Sequence, residues 1–503
     1  MAETAQPTPV ALMKCDVVDS TLLPAAAEAM PKVHDAVEFA ASSYGVAAGY
    51  PRWEGDGASV CFTGPDAAPS AVRAALDAVE RVRLIAGHDV KLRASVGAGE
   101  AAAGADLSKV SPPGFNLAGH MVGRAVCPQS AVCVTEDVYF QLLHAAPDLA
   151  ARFAYLGTTT RDGGAPVFVA PPGKRPAEPG GLRGADSDGY PAALALRAHY
   201  PRRPFSLLRF YALPQFNFVG AHDLMAVFTP LAVRRHRGAA MLPEPMPDEM
   251  PSPMQHLRER DAGPEPFGEA FRRHRSMVLL GEPGSGKSTL LRYLAIVAAG
   301  GRHVTERWLG VGERLLPVHT TAAALLGAHR EHADETLSRT LARVLAPAIE
   351  QPDELLGQAI AEAAATGEAL FLVDGLDELP EAADRLAAAQ LVETLAEQHP
   401  RSRFVVASRI VGYPGVVLPG SEEYVLEPLV LDQTRILARA FYVEFFRSQK
   451  YDEAAARREG TAKGDRLVKA LEERENLVPF ARNPLLLSLA ALVHVQLGEL
   501  PRY

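Results

Sequence analysis

The sequence predicts a multidomain α/β protein, and three observations carry that reading. Its 503 residues exceed what a single hydrophobic core organises, so two or three domains are expected. Short apolar runs alternate with amphipathic stretches in two separate parts of the chain. Between them lie two stretches that cannot sustain helix or central strand, Pro171-Pro172-Gly173-Lys174-Arg175-Pro176 and Leu242-Pro243-Glu244-Pro245-Met246-Pro247.

In chain order, the first part reads as strand at residues 10–18, helix at 22–41, strand at 58–62, helix at 71–86 and strand at 90–96. It closes with two strands, 153–156 and 166–170, around the turn residues Asp162-Gly163-Gly164. The first domain is therefore expected over 1–172, followed by a connector over 173–265 with one small helical element. From Ser276 the alternation resumes as an α/β core expected over 266–430, and from Leu431 to residue 503 the pattern is helical throughout.

Composition excludes several function classes. Hydrophobic residues at 48% and charged residues at 22% describe a soluble chain able to bury sizeable cores. A net charge of -9 gives no diffuse attraction for nucleic acid. The runs Arg234-Arg235-His236-Arg237 and Arg272-Arg273-His274-Arg275 are too short for binding stretches and read as solvated faces. Cys15, Cys61, Cys127 and Cys133 lack the spacing of a zinc knuckle, which suggests a reducing compartment. Met1-Ala2-Glu3-Thr4 has no basic leader region, and the apolar stretch over 485–495 is too short to span a bilayer. A cytoplasmic protein without membrane or nucleic-acid partners is expected.

Met277-Val278-Leu279-Leu280 is a compact apolar strand that feeds Gly281-Glu282-Pro283-Gly284-Ser285-Gly286-Lys287-Ser288-Thr289 and then a helix. This is a complete phosphate-binding loop in its strand-loop-helix setting. Glycines let backbone N–H groups converge on phosphate oxygens at a helix N-terminus. Lys287 supplies a charge for the β- and γ-phosphates, and Ser288 a hydroxyl for Mg²⁺. A second apolar run, Leu370-Phe371-Leu372-Val373, ends in Asp374, the metal-side acid. Asp377 and Glu378 follow, either as solvated loop carboxylates or, with Asp374, as catalytic groups that orient water; the latter is expected.

Phe371-Leu372-Val373-Asp374-Gly375-Leu376-Asp377-Glu378-Leu379 resembles the NACHT branch of the STAND nucleotide triphosphatases. The resemblance extends over 266–503. It implies that Arg409, which ends Phe404-Val405-Val406-Ala407-Ser408-Arg409, senses the γ-phosphate. Glu427-Pro428-Leu429 resembles the join to the family's helical subdomain, and Pro484, in Asn483-Pro484-Leu485-Leu486-Leu487, is implied to pack near the base. The family continues into a winged helix and a repeat sensor, so a fragment or a short member is expected.

At the front, Asp16 in Cys15-Asp16-Val17-Val18-Asp19-Ser20-Thr21 ends a strand, and Gly55-Asp56-Gly57 has the chemistry of a hairpin turn. Each aspartate is either a turn residue or a metal ligand. The pair resembles the catalytic domain of class III adenylate/guanylate cyclases over 8–171. That resemblance implies a ferredoxin-like α+β domain in which Asp16 and Asp56 hold metal and Asn116 stabilises the transition state. The family's arginine four residues after Asn116 is His120 here, Arg124 lies one turn further, and Arg52 stands where the base-selecting lysine belongs. Cyclisation is therefore expected to be lost, with an active cyclase under NTPase control as the alternative.

The resemblances together imply a nucleotide-switched NTPase that binds ATP or GTP with Mg²⁺ and hydrolyses it slowly. They further imply self-association on activation by an unread trigger, in bacterial antiphage defence or regulation.

Overall fold

The apolar run near the start of the chain becomes β1 (Thr8–Val17), followed by β2 (Arg52–Glu54), β3 (Gly57–Thr63) and β4 (Leu92–Ala101). The computed structural model describes residues 8–18, 26–85, 90–102, 105–107, 113–123, 125–160, 165–174, 176, 182–183, 190–202, 224–236, 263–413 and 420–497. They fall into two compact units, Met1–Pro191 with Gly300–His303, and Ala192–Ala299 with Val304–Tyr503.

In the first unit β1 runs antiparallel to both β3 and β4, and β2 pairs with β3 across a turn at Gly55-Asp56. Gly55 sits at φ 69°, a left-handed conformation that glycine adopts without steric cost. Helices Ala26–Ser43 and Ala67–Arg83 follow β1 and β3. The second buries a small-residue face, including Ala71, Ala74, Ala75, Ala78 and Val82. Two strand-helix-strand halves with the spatial order β4-β1-β3-β2 make a ferredoxin-like arrangement. β5 (Ala131–Thr135) adds parallel to β4, and β6 (Ala154–Thr159), β7 (Pro166–Ala170) and β8 (Leu182–Arg183) extend an eight-stranded sheet. The helix Pro113–Met121 lies on β4 at backbone contact: a Cβ on Gly97 would come 1.9 Å from the Gly114 carbonyl oxygen. Cys15, Cys61, Cys127 and Cys133 are all free and buried.

The second unit carries β9 (Ala232–Arg235), β10 (Glu265–Pro266), β11 (Ser276–Leu280), β12 (Leu316–Thr321), β13 (Ala369–Asp374), β14 (Arg403–Ser408) and β15 (Glu422–Leu426). Their order is β10-β9-β15-β11-β14-β13-β12, in which the strands from β15 to β12 run parallel. The central strands are apolar without interruption because helices cover both faces of such a sheet. β9 and β10 are antiparallel additions at the edge. Part of the segment expected as a connector thus belongs to this sheet, and helices Tyr190–Arg202 and Leu224–Val227 also fall within it. A four-residue edge strand is too short for its alternation to be legible.

Both short basic runs meet carboxylates: Arg234 pairs with Glu427, Arg235 with Glu422, Arg273 with Glu265 and Arg275 with Glu313. From Leu431 onward the described chain is helical, with Leu431–Ser448, Glu453–Glu472, Val478–Arg482 and Pro484–Leu497. The first two cross at Gly460 and Gly464, where an added Cβ would lie 2.6 Å from the Val443 backbone nitrogen and 2.8 Å from that of Arg439. Among the described residues no single helix is long and apolar enough to cross a membrane.

Candidate functional site

Parallel strands deliver their C-terminal ends to one edge of the second sheet, the edge where open α/β sheets bind ligands. Leu280 lies level with Ser408 and Thr321 with Asp374, so the loop after β11, the end of β13 and the end of β14 are neighbours. β14 stands between the strand that feeds the loop and the strand that ends in Asp374.

Residues 281–286 turn from β11 into the helix Lys287–Ala299. Gly284 and Gly286 take φ 76° and 101°, which lets successive backbone N–H groups curl toward one side. Lys287 Nζ donates to the carbonyl oxygens of Gly281 at 2.7 Å and Glu282 at 3.0 Å, so the ammonium is held by the loop itself. Burial lowers the Lys287 pKa, while Asp377 and Asp374 act in the opposite direction. Glu282, Pro283 and Ser288 are exposed and Thr289 is half-buried. Ser285 Oγ is buried with no hydrogen-bond partner, a polar atom turned inward within a phosphate-type loop.

Asp374 ends β13, and its carboxylate accepts a hydrogen bond from the Ser288 hydroxyl. Burial raises the Asp374 pKa, opposed by that hydrogen bond and by Lys287 and Arg292. A hydroxyl and a carboxylate together are the oxygen donors Mg²⁺ uses beside phosphates and waters, so the residues fit that ion.

Gly375 follows at φ 71°, and a Cβ there would stand 2.8 Å from Glu378 Oε2, so glycine lets Glu378 fold back beside Asp374. Burial raises the Glu378 pKa, and the charges of Asp374 and Asp377 raise it further. Asp377 has only 6% of its side chain exposed; its Oδ2 takes Arg409 Nε at 3.1 Å and its Oδ1 accepts the Arg409 backbone N–H at 2.8 Å.

The helical end closes on the loop. Pro484 Cγ would lie 3.8 Å from a Cβ on Gly286, and Asn483 Nδ2 donates to the Pro283 carbonyl at 3.1 Å. A segment the sequence reading passed over also reaches the loop: Leu231 Cδ1 would lie 3.5 Å from a Cβ on Gly286. Two residues before it, Thr229 is 4% exposed and its hydroxyl has no partner. The only sequence signal was the apolar pair Leu231 and Val233 flanking Ala232.

In the first unit the structure brings Asp16 and Asp56 to the same end of the sheet, where Val17 N donates to the Asp56 carbonyl oxygen at 3.4 Å. Asp16 Oδ2 accepts from Arg93 Nε at 3.0 Å, and that guanidinium is 3% exposed. Among the described residues no group of three or more His, Cys, Asp or Glu side chains could hold a metal ion. Asn116 and His120 are exposed on the helix Pro113–Met121, and Arg52 lies over the Tyr50 ring. Arg124 and Asp19 lie outside the described residues.

The second unit is thus a phosphate-loop fold with an extra strand between its two phosphate-side elements. Residues 275–444 match the NACHT domain, which marks a nucleotide-binding NTPase domain. No curated protein matches the chain. Among solved structures, an adenylate/guanylate cyclase/hydrolase from Silicibacter pomeroyi is 15% identical at TM-score 0.26, covering 33% of this chain and 98% of that one. A bacterial light-regulated adenylyl cyclase is 16% identical at TM-score 0.25, covering 34% of this chain and 55% of that one. At such TM-scores neither likeness decides anything about the first unit.

Proposed function

We propose that the chain is a nucleotide-switched, signal-transducing NTPase of the STAND type, which binds ATP with Mg²⁺ and hydrolyses it slowly. The observation that carries this is the meeting of Lys287, Ser288 and Asp374 at the C-terminal edge of a parallel sheet.

A bound nucleotide would place its β- and γ-phosphates on the N–H groups of residues 282–288, where the helix N-terminus favours an anion. Lys287 would exchange its two carbonyl acceptors for phosphate oxygens. Ser288 and Asp374 would hold Mg²⁺, which when bound neutralises charge between the β- and γ-phosphates. Glu378, its pKa raised by burial and by the charges of Asp374 and Asp377 and its carboxylate folded back toward Gly375, suits the orientation of an attacking water. Arg409, at the end of β14, is the cation available to read the γ-phosphate once it leaves Asp377. Slow turnover would suit a switch whose state is meant to persist.

The first unit is proposed as an output, dimerisation or ligand-binding element derived from a cyclase-type domain. Asp16, its charge already matched by Arg93, offers a divalent ion a weaker site than the phosphate loop does. A role in bacterial antiphage defence or regulation, with self-association on activation, is proposed from the sequence resemblance alone.

The test is to purify the full chain, identify any co-purifying nucleotide by mass spectrometry, and measure Mg²⁺-dependent ATP hydrolysis. A retained adenine nucleotide or slow turnover is expected. Neither retention nor measurable affinity for ATP or GTP would end the proposal.

A further inference from the structure

We infer that Asn483 is a positioning residue for the phosphate loop, fixing the loop's peptide planes to the helical end of the chain; this rests on reading residues 281–289 as phosphate-binding.

The chain turns by 115° between Glu475–Arg482 and Pro484–Val495, and Asn483 sits at that turn with extended backbone, φ -105° and ψ 120°. Its carboxamide works in two directions. Oδ1 accepts the N–H groups of Leu485 at 3.0 Å and Leu486 at 3.2 Å, capping the helix Pro484–Leu497. Nδ2 donates to the Pro283 carbonyl oxygen at 3.1 Å, on the loop. The Leu485 N–H is shared with the Gly284 carbonyl oxygen at 3.3 Å.

Contact between the two segments is close. A Cβ on Gly284 would fall 2.8 Å from Leu485 Cβ and 2.9 Å from Asn483 Oδ1. Gly284 is therefore required twice, for its positive φ and for this approach. In a trans peptide the C=O and the following N–H point to opposite sides, so holding the Pro283 and Gly284 carbonyls toward the helix aims the next N–H groups away from it. Through the Pro283 carbonyl Asn483 thus sets the direction of the Gly284 N–H, without touching a phosphate.

Asparagine suits the task because one planar group both accepts and donates. Aspartate and serine also cap helices well. Aspartate has no donor, and serine lacks the reach of the carboxamide. Replacement by either keeps the cap and removes the tether, and serine does so without adding charge.

The experiment compares the full-length wild type with Asn483→Asp and Asn483→Ser. Melting temperature reports the fold, hydrogen exchange of the 281–290 segment without nucleotide reports the tether, and release of a fluorescent ADP analogue reports its consequence. Expected are melting temperatures close to wild type, with loop exchange and nucleotide release each about tenfold faster in both variants, the ratio ~1.4 kcal/mol produces. Unchanged loop exchange in both variants would overturn the inference, as would an effect confined to Asn483→Asp, which charge alone would explain. If the wild type binds no nucleotide, the phosphate-site reading fails, while the exchange measurement still decides whether Asn483 holds the loop.

Discussion

Asp377 grips Arg409 at two points, with Oδ2 on the guanidinium Nε at 3.1 Å and Oδ1 on the backbone N–H at 2.8 Å. The end of β14 is thereby fastened to the turn after β13, and Arg409 is restrained by Asp377, whereas the Ser288 hydroxyl is bonded to Asp374. Asp374 and Asp377 should consequently fail differently. Asp374→Ala is expected to remove the Mg²⁺ dependence of nucleotide binding, because the ion loses its protein carboxylate. Asp377→Ala is expected to retain binding and to slow turnover by about a hundredfold as Arg409 loses its orientation. Calorimetric titrations with and without Mg²⁺, beside single-turnover hydrolysis, separate the two; identical behaviour would refute the division of roles.

Lys287 is the loop's own cation, and in this structure its ammonium is spent on two backbone carbonyls. Lys287→Ala should weaken ATP affinity by about a hundredfold or more, the scale of a desolvated charge-phosphate contact. Fluorescence titration with a labelled nucleotide checks it, and wild-type affinity in the variant would remove the phosphate-loop assignment.

Helix contact at Gly460 and Gly464 leaves no volume for a methyl group, since the facing atoms are backbone atoms of Val443 and Arg439. Gly464→Ala gains helix propensity worth about 1 kcal/mol but must separate two packed helices, so a net loss of about 1–2 kcal/mol is expected. Denaturant unfolding measures this, and a stabilised variant would show that the helices are not in backbone contact.

Stability should carry an acid-sensitive contribution from Glu313, which binds Arg403 through both oxygens and also meets Arg275. Burial alone would raise its pKa, but the hydrogen bonds and charges of Arg403 and Arg275 outweigh that and hold it below the usual carboxylate value. A depressed pKa adds stability above the unfolded value, near ~4.3 for glutamate, and that contribution is lost as pH falls through the folded value. The melting-temperature gap between wild type and Glu313→Gln should therefore be full at pH 7 and narrow in acid. A gap that does not change with pH would show that the carboxylate's charge is not what matters.

For the first unit, the Arg93 ion pair on Asp16 and His120 in place of an arginine favour little or no cyclisation. Full-length protein carrying Lys287→Ala, incubated with ATP or GTP and Mn²⁺, should yield no cyclic nucleotide by mass spectrometry. Product that disappears on adding Asp16→Ala and Asp56→Ala would establish an active cyclase instead.

The sequence by itself determined what is local. β11, β13 and β14 were legible because buried parallel strands are written as continuous apolar runs, and the loop glycines because only they accept the φ values of Gly284 and Gly286. The hairpin at Gly55-Asp56 was legible for the same reason. Tertiary structure alone decided the relations between distant segments. Strand order placed β14 between β11 and β13, which no periodicity encodes. It brought Leu231 and Asn483 to a loop far along the chain, and it paired Arg93 with Asp16 through strand register. Local signals record the backbone angles and faces each residue needs, whereas neighbours across a sheet or between helices are chosen by shape and charge complementarity that one sequence does not display.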